Sequence, residues 1–232
     1  MEKFNPVIDK YARIDRSGRK VLAEEGPSIR EFPAFPEELK KNFSSALIFS
    51  EDSREQVREK VIKKLHLIGE RVGIAFLEAG ADYPLHATLL EGISNEEEQS
   101  REDTFRSLRE NGGLTQSLDR LAGLQLEFKY ILLDRGNVLL TAVDIPEEII
   151  GMREELKDVY ENAGLQSRPL ENILHISLAR MREIPKGANA QSQFAEYKKA
   201  MIQLRHEISS NPLRLDVAAV TRDQTYRFLT GN

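Results

Sequence analysis

The chain has 232 residues, 40% hydrophobic and 31% charged, which is ordinary for one globular domain or for two lobes that share a core. The absence of cysteine excludes a disulfide scaffold, a thiolate nucleophile and a cysteine-ligated zinc site, and it fits a reducing compartment. A net charge of −5 argues against a broad surface for long nucleic acid, but a local basic cleft for a small nucleotide or an RNA end is compatible with it.

The beginning of the chain carries turn signals instead of a regular apolar pattern. Arg16-Ser17-Gly18 and Gly26-Pro27 are turn-forming, and two further prolines follow them. We therefore expect an N-terminal extension over residues 1–42 and a single domain over residues 43–232. No apolar run has the length of a signal-peptide core or a membrane span, so we expect a cytoplasmic protein that binds no membrane.

From residue 43 onwards the apolar residues recur with the period of strands or of helices. Predicted strands cover residues 46–49, 74–77, 85–90, 124–133, 137–143, 173–181, 213–220 and 226–229. Predicted helices cover residues 53–67, 95–111, 146–162 and 191–209. Gly112-Gly113 and Gly164 are expected to end the second and third helices, and Asp134-Arg135-Gly136 to form a hairpin turn.

Two tetrapeptides, His86-Ala87-Thr88-Leu89 and His175-Ile176-Ser177-Leu178, share the pattern His-x-(Thr/Ser)-Leu on predicted strands. Side chains alternate along a strand, so each histidine and its hydroxyl residue project from one face while the intervening residue points into the core. Two such pairs facing each other supply a general base, a general acid and two hydrogen-bonding groups. These groups are sufficient to transfer a phosphate without a metal.

The two motifs follow the same order of predicted elements. A strand at 46–49 and a helix precede His86, and a strand at 137–143 and a helix precede His175. A polar helix then follows each motif. This order indicates an internal repeat and predicts two strand–helix–strand lobes related by a pseudo-twofold axis, which would bring the two histidines face to face.

A single His-x-(Ser/Thr) motif arises easily by chance, and its histidine is usually a structural residue. Here both motifs end in leucine, lie on predicted strands and follow a strand and a helix. The other two histidines, His66 and His206, lie in predicted helices and have no hydroxyl residue two positions later. We interpret these two as structural or surface residues.

The paired motifs resemble those of the 2H phosphoesterase superfamily, which includes 2′-5′ RNA ligase-like proteins and RNA 2′,3′-cyclic phosphodiesterases. The second motif, HISLAR, is similar to that family's His-x-Thr-Leu-x-Arg stretch, with Ser177 in place of threonine. The sequences HATLLEGI and MREELKDVYENAGL are similar to a less characterised branch. The resemblance covers about residues 44–230. It implies a bilobal α+β fold with antiparallel sheets around a central cleft, and phosphodiester chemistry that needs neither metal nor cofactor.

In chemistry of this type, one imidazole accepts a proton from water and the other donates a proton to the leaving ribose oxygen. The resemblance makes His86 and His175 this pair. Thr88 and Ser177 would donate hydrogen bonds to non-bridging phosphate oxygens as charge builds in the transition state. The sequence does not decide which histidine is the base.

Three further residues are candidates for substrate binding. Arg180 is either a bidentate phosphate ligand or a surface residue at a strand end, and its offset from His175 has the wrong parity for one face unless a bulge intervenes. Tyr83 and Tyr226 either stack on a base or pack as partly buried tyrosines.

Three functional hypotheses follow from the sequence. The first is an enzyme that opens a 2′,3′-cyclic phosphate, or hydrolyses a related nucleotide or RNA-end phosphodiester, by water attack. The second is a module of the same fold that binds a nucleotide or RNA end without turnover, and the complete set of two histidines and two hydroxyls favours the enzyme over it. The third, a metallohydrolase, has neither a His-Glu-x-x-His motif nor a clustered third ligand. The natural substrate and the oligomeric state stay undefined.

Overall fold

A computed structural model describes residues 6–24, 42–78, 85–134, 137–168, 173–183 and 189–222. The helices in these ranges are α1 (Pro6–Glu24), α2 (Glu51–Val57), α3 (Lys63–Val72), α4 (Glu98–Glu110), α5 (Gly112–Asp119), α6 (Glu147–Asn162) and α7 (Ala190–Ser210). The strands are β1 (Asn42–Phe49), β2 (Ala75–Glu78), β3 (His86–Ile93), β4 (Gln125–Asp134), β5 (Asn137–Ala142), β6 (Gln166–Arg168), β7 (His175–Glu183) and β8 (Leu213–Arg222). A π-helical turn, Arg58–Ile62, joins α2 to α3.

The strands form one antiparallel sheet in the order β2-β7-β5-β4-β8-β1-β3-β6. One more antiparallel pairing, between β3 and β7, closes six of these strands into a ring. The two short strands are exchanged between the halves of the sheet: β2 pairs with β7, and β6 pairs with β3. This topology brings the two strands that carry the motifs side by side.

Two hydrophobic clusters lie on opposite faces of the sheet. The main core joins alternate strand residues such as Leu47 to helix residues such as Leu65 of α3 and Leu156 of α6. Each fully buried leucine contributes about 2 kcal/mol to stability. The smaller cluster lies on the other face and packs Tyr11 of α1 against Leu132 and Leu139. The sheet is therefore covered by α1 on the face that the main core leaves open.

The predicted α+β class is confirmed, and every predicted element between residues 46 and 220 has a counterpart in the structure. The hairpin is supported by the pairing of Asp134 with Asn137 across β4 and β5. The turn residues Arg135 and Gly136 and the predicted strand at 226–229 lie outside the described residues. The end of α6 is as expected, since Gly164 follows it with a φ of 80°, a left-handed conformation that glycine adopts without strain.

Three elements were not predicted, namely α1, α5 and β6. The preceding helix ends at Gly112-Gly113 as expected, since α4 stops at Glu110, but a new helix, α5, begins at Gly112. Asn111 makes this possible, since its side-chain oxygen accepts a hydrogen bond from the Leu114 amide at 3.0 Å and caps the new helix. Strand β6 has only three residues, which is too short for a period to be recognised.

Helix α1 lies within the stretch expected to be an extension. Among the α1 residues whose burial is described, Tyr11, Asp15 and Gly18 are buried, with the i, i+4, i+7 spacing of a helix face. The sequence carries a helical period, because Val7, Tyr11, Ile14 and Val21 lie four, three and seven positions apart, but Arg16-Ser17-Gly18 suggested a turn instead. The division of the chain at residue 42 stays a prediction. Of the helices in the described ranges, none combines the length and the apolar character that crossing a bilayer requires.

Candidate active site

The first motif occupies the start of β3. His86 and Thr88 are partly exposed, whereas Ala87 and Leu89 are completely buried in the main core. This is the alternation expected of a strand with one face on the core. The imidazole and the hydroxyl group therefore project from the same face of the sheet.

The second motif repeats this alternation at the start of β7. His175 and Ser177 are partly exposed, and Ile176 and Leu178 are completely buried. Ala179 is also buried, which breaks the alternation after the motif. The pairing with β5 explains the break. Leu139 pairs with Ser177 and the preceding residue, Val138, pairs with Ala179, so Leu178 is an extra residue on β7.

This register shift is the kind of bulge that the parity of Arg180 required. Beyond the shift, the backbone of Arg180 pairs with Asn137 of β5. The role of Arg180 as a phosphate ligand stays a prediction.

The two motifs meet at the pairing of Ala87 with Ile176. In antiparallel register the flanking positions are His86 with Ser177, and Thr88 with His175. The Cα atoms of directly paired residues such as Ala87 and Ile176 lie about 4.5–5.5 Å apart. Both central residues point into the core, so the four polar residues surround one strand pairing on the opposite face.

The electrostatic surroundings of His175 favour its neutral form. Burial lowers the pKa of His175 to about 4, and the nearby charges of His86 and Arg153 act in the same direction. An imidazole with such a pKa is unprotonated at neutral pH and can accept a proton. The interaction with His86 also shows that the two imidazoles are electrostatic neighbours.

A cavity of about 660 Å³ opens on the motif face beside β7. Its lining includes both polar residues of the second motif, and His86 and Thr88 do not contribute to it. The described lining residues are Arg13, Ile14, Ser17, Leu132, Asn137, Leu139, Thr141, Ile173, His175 and Ser177. They include one cation, Arg13, and no carboxylate, so this part of an acidic chain suits a ligand that carries negative charge and an apolar portion.

Helix α1 forms one wall of the cavity and is fixed to the sheet by polar contacts. The Tyr11 hydroxyl lies 3.4 Å from both the amide and the carbonyl oxygen of Leu174, the residue before His175. Asp15 accepts a hydrogen bond from the Leu133 amide and forms a largely buried ion pair with Arg205 of α7. These contacts fix the position of α1 relative to the second motif.

Sequence reasoning missed the cavity-lining residues that lie outside the second motif. Asn137, Leu139 and Thr141 alternate along a strand that was correctly predicted. A period of two could have placed them on one face, but it could not show which strand would neighbour β7. Arg13 carried no signal, because α1 itself was not predicted.

Two tyrosines and two histidines complete the residues that the sequence singled out. Tyr83 and Tyr226 lie outside the described residues, so their proposed stacking stays a prediction. His66 is exposed on α3 and contacts Glu70 at 3.1 Å, and His206 is exposed on α7. Both fit their interpretation as surface residues. Within the described ranges no group of three or more His, Cys, Asp or Glu residues is arranged to hold a metal ion.

Comparison with known proteins adds structural neighbours but no sequence family. No protein-family model matches the chain, and no curated protein matches it in sequence. Similar solved structures include Usb1 from Kluyveromyces marxianus, with 14% identity and a TM-score of 0.39, covering 80% of this chain and 98% of that one.

Usb1 from the same organism with uridine monophosphate shows 13% identity and a TM-score of 0.42, covering 80% of this chain and 99% of that one. A conserved protein of unknown function from Agrobacterium tumefaciens shows 10% identity and a TM-score of 0.46, with coverages of 78% and 80%. At these identities and TM-scores the neighbours assign no role to any residue of this chain.

Proposed function

We propose that this chain is a metal-independent phosphodiesterase that hydrolyses a 2′,3′-cyclic phosphate or a related phosphodiester of a nucleotide or RNA end. The observation that carries the proposal is the pairing of Ala87 with Ile176, which surrounds one point of the sheet with two imidazoles and two hydroxyl groups. The resemblance of the two motifs to those of 2H phosphoesterases supports the same function.

The proposed reaction needs one proton acceptor and one proton donor. A water molecule attacks phosphorus and gives a proton to one imidazole, while the bond from phosphorus to a ribose oxygen breaks and that oxygen takes a proton from the other imidazole. His86 and His175 are the two imidazoles. Thr88 and Ser177 donate hydrogen bonds to the non-bridging oxygens, whose negative charge increases in the transition state.

The cavity beside β7 supports a small substrate. Its volume of about 660 Å³ is within the range of small-molecule sites. Apolar residues Ile14, Leu132 and Leu139 offer a surface to a base or sugar, and Asn137 offers both a donor and an acceptor. A nucleotide whose phosphate lies at the histidines would extend into this space.

We also infer that the sheet has two related lobes around this site. The strand order supports this description, because it reads the same from either end when β1, β2, β3 and β8 are exchanged with β5, β6, β7 and β4. In this exchange β3, the strand of the first motif, takes the place of β7, the strand of the second motif. A pseudo-twofold axis would then pass close to the pairing of β3 with β7.

The proposal is tested by a hydrolysis screen in the presence of EDTA. The substrates are nucleoside 2′,3′-cyclic phosphates, 2′-5′ and 3′-5′ dinucleotides and ADP-ribose cyclic phosphate, with His86→Ala and His175→Ala as inactive controls and His66→Ala as the matched active control. Turnover that survives EDTA and disappears in the first two variants is the expected result. Tight binding without turnover would instead favour a nucleotide-binding module, and activity restored only by one metal would favour a metallohydrolase.

A further inference from the structure

Arg153 on α6 reaches the main chain of both motif segments. Its Nε donates a hydrogen bond to the Leu89 carbonyl oxygen at 2.9 Å, and its Nη2 donates to that of Ile173 at 2.7 Å. A longer contact of 3.5 Å joins Nη2 to the Thr88 carbonyl oxygen. Thr88 and Leu89 belong to the first motif, and Ile173 lies two residues before His175. One side chain therefore connects the two motifs.

Among the described residues, the hydrogen-bond partners of this guanidinium are all neutral. They are carbonyl oxygens, and the remaining nitrogen, Nη1, is buried with no hydrogen-bond partner among the described residues. Burial lowers the pKa of Arg153 to about 10, so the group stays charged at neutral pH. Its positive charge is thus held inside the protein next to the motifs. A lysine has a single charged nitrogen and cannot reproduce the planar fork that contacts both motif segments.

Charged and titratable groups approach His175 from each element packed against it. His86 on β3 and Arg153 on α6 act on His175, and Tyr11 and Arg13 of α1 lie beside it. Asp144, after β5, acts on Tyr11. Burial, His86 and Arg153 all disfavour a proton on His175. Arg153 keeps its charge throughout the neutral range.

We propose that Arg153 is a positioning residue: it fixes the two motifs relative to each other through their carbonyl groups. Its charge adds to burial and to His86, the two larger causes, in disfavouring a proton on His175. The catalytic consequence rests on the proposed function. With His175 neutral, His175 is the group that accepts the proton of the attacking water, and His86 is the group that donates to the leaving oxygen.

The test compares Arg153→Met and Arg153→Lys with a control on the same helix, Lys157→Met, whose side chain is exposed and pairs only loosely with Glu161. The first measurement is an NMR titration of the His175 ring in substrate-free protein, with the resonance identified from the His175→Gln spectrum. We expect the pKa of His175 to rise in Arg153→Met and to stay near the wild-type value in Arg153→Lys and Lys157→Met.

The second measurement separates charge from geometry. Arg153→Lys keeps a charge but loses the fork, so we expect kcat to fall by about a hundredfold with little change in KM, because small displacements of reacting groups have effects of this size. An unchanged His175 pKa in Arg153→Met overturns the electrostatic role, and an unchanged kcat in Arg153→Lys overturns the positioning role.

Two further outcomes are covered, namely a variant that does not fold and a chain that hydrolyses none of the substrates. If Arg153→Met does not fold, the same titration in Arg153→Gln, which keeps hydrogen-bond donors without the charge, must show the rise in the His175 pKa. The titration uses no substrate. A chain that hydrolyses none of the phosphodiesters but shows the expected titration would therefore contradict the proposed function and support the role of Arg153 in the electrostatics of His175.

Discussion

The two motifs have the same local structure but different surroundings. On β3 and on β7 a histidine and a hydroxyl residue alternate with completely buried apolar residues. The motif on β7 lines the large cavity and lies behind α1, next to Tyr11 and its contact with Leu174. The motif on β3 does not line that cavity. Two equivalent sequences have therefore acquired unequal environments.

This difference shows how one repeated motif can supply two chemical roles. A general base and a general acid must be in opposite protonation states at the same pH. Two identical imidazoles that share one proton take fixed roles only if their surroundings differ. Burial, His86 and Arg153 act on His175. Helix α1 lies outside the repeat, whereas Arg153 is carried by α6, the helix of the second repeat unit.

Loss of either histidine should give the largest effect. We expect His86→Ala and His175→Ala each to lower kcat/KM by about a hundredfold or more, because each removes one proton-transfer partner. The double variant should be little worse than the poorer single variant, since groups that act together are not additive. Steady-state kinetics on a substrate found in the screen, with His66→Ala alongside, checks both statements. Near-wild-type activity in either single variant would show that the two motifs do not form an acid–base pair.

The attachment of α1 offers the next test of the asymmetry. Asp15→Ala leaves Arg205 and the Leu133 amide without their buried acceptor, so we expect the free energy of unfolding to fall by about 3 kcal/mol. If α1 forms a wall of the substrate site, KM should rise as well. Urea denaturation and kinetics measure the two effects. Asp158→Ala, on α6, is the control for removing an acidic residue. A loss of stability with an unchanged KM would show that α1 does not contribute to substrate binding.

The local structure of the site was predictable, whereas its asymmetry was not. The period of two placed His86 with Thr88 and His175 with Ser177 on one face, and the repeated element order placed both motifs on strands that prove to be neighbours. Those conclusions depend on residues close in sequence. Arg153 contacts residues that are 64 and 20 positions away in the sequence. The ion pair that attaches α1 joins Asp15 to Arg205, which are 190 positions apart. Contacts between residues so distant in sequence leave no local pattern.

The pH dependence of stability tests the environment of His175 without any substrate. Its pKa is about 4 in the folded chain against an ordinary value of 6.5, so between these values the unfolded chain binds a proton that the folded chain does not. Stability contributed by this group is therefore present above pH 6.5 and is lost as the pH falls towards 4. We expect His175→Gln to flatten the dependence in this window.

Chemical denaturation across the acidic range provides the measurement. Ser177→Ala changes a neighbouring residue that does not titrate there, so it should keep the wild-type slope and serves as the control. A slope that is equally steep in His175→Gln and in the wild type would mean that the environment of His175 does not disfavour its protonation.

The hydroxyl groups should give the smallest effect and the finest comparison of the two motifs. Thr88→Val removes a hydroxyl with little change of shape, and Ser177→Ala removes the other, so we expect each to lower kcat by about tenfold, the value of one hydrogen bond to a charged group. Only Ser177 also lines the cavity, so only its loss should raise KM. Ser177→Thr keeps the donor and should stay close to wild type. If Thr88→Val raised KM as strongly as Ser177→Ala, the substrate would contact the two motifs equally, and the asymmetry would concern the histidines alone.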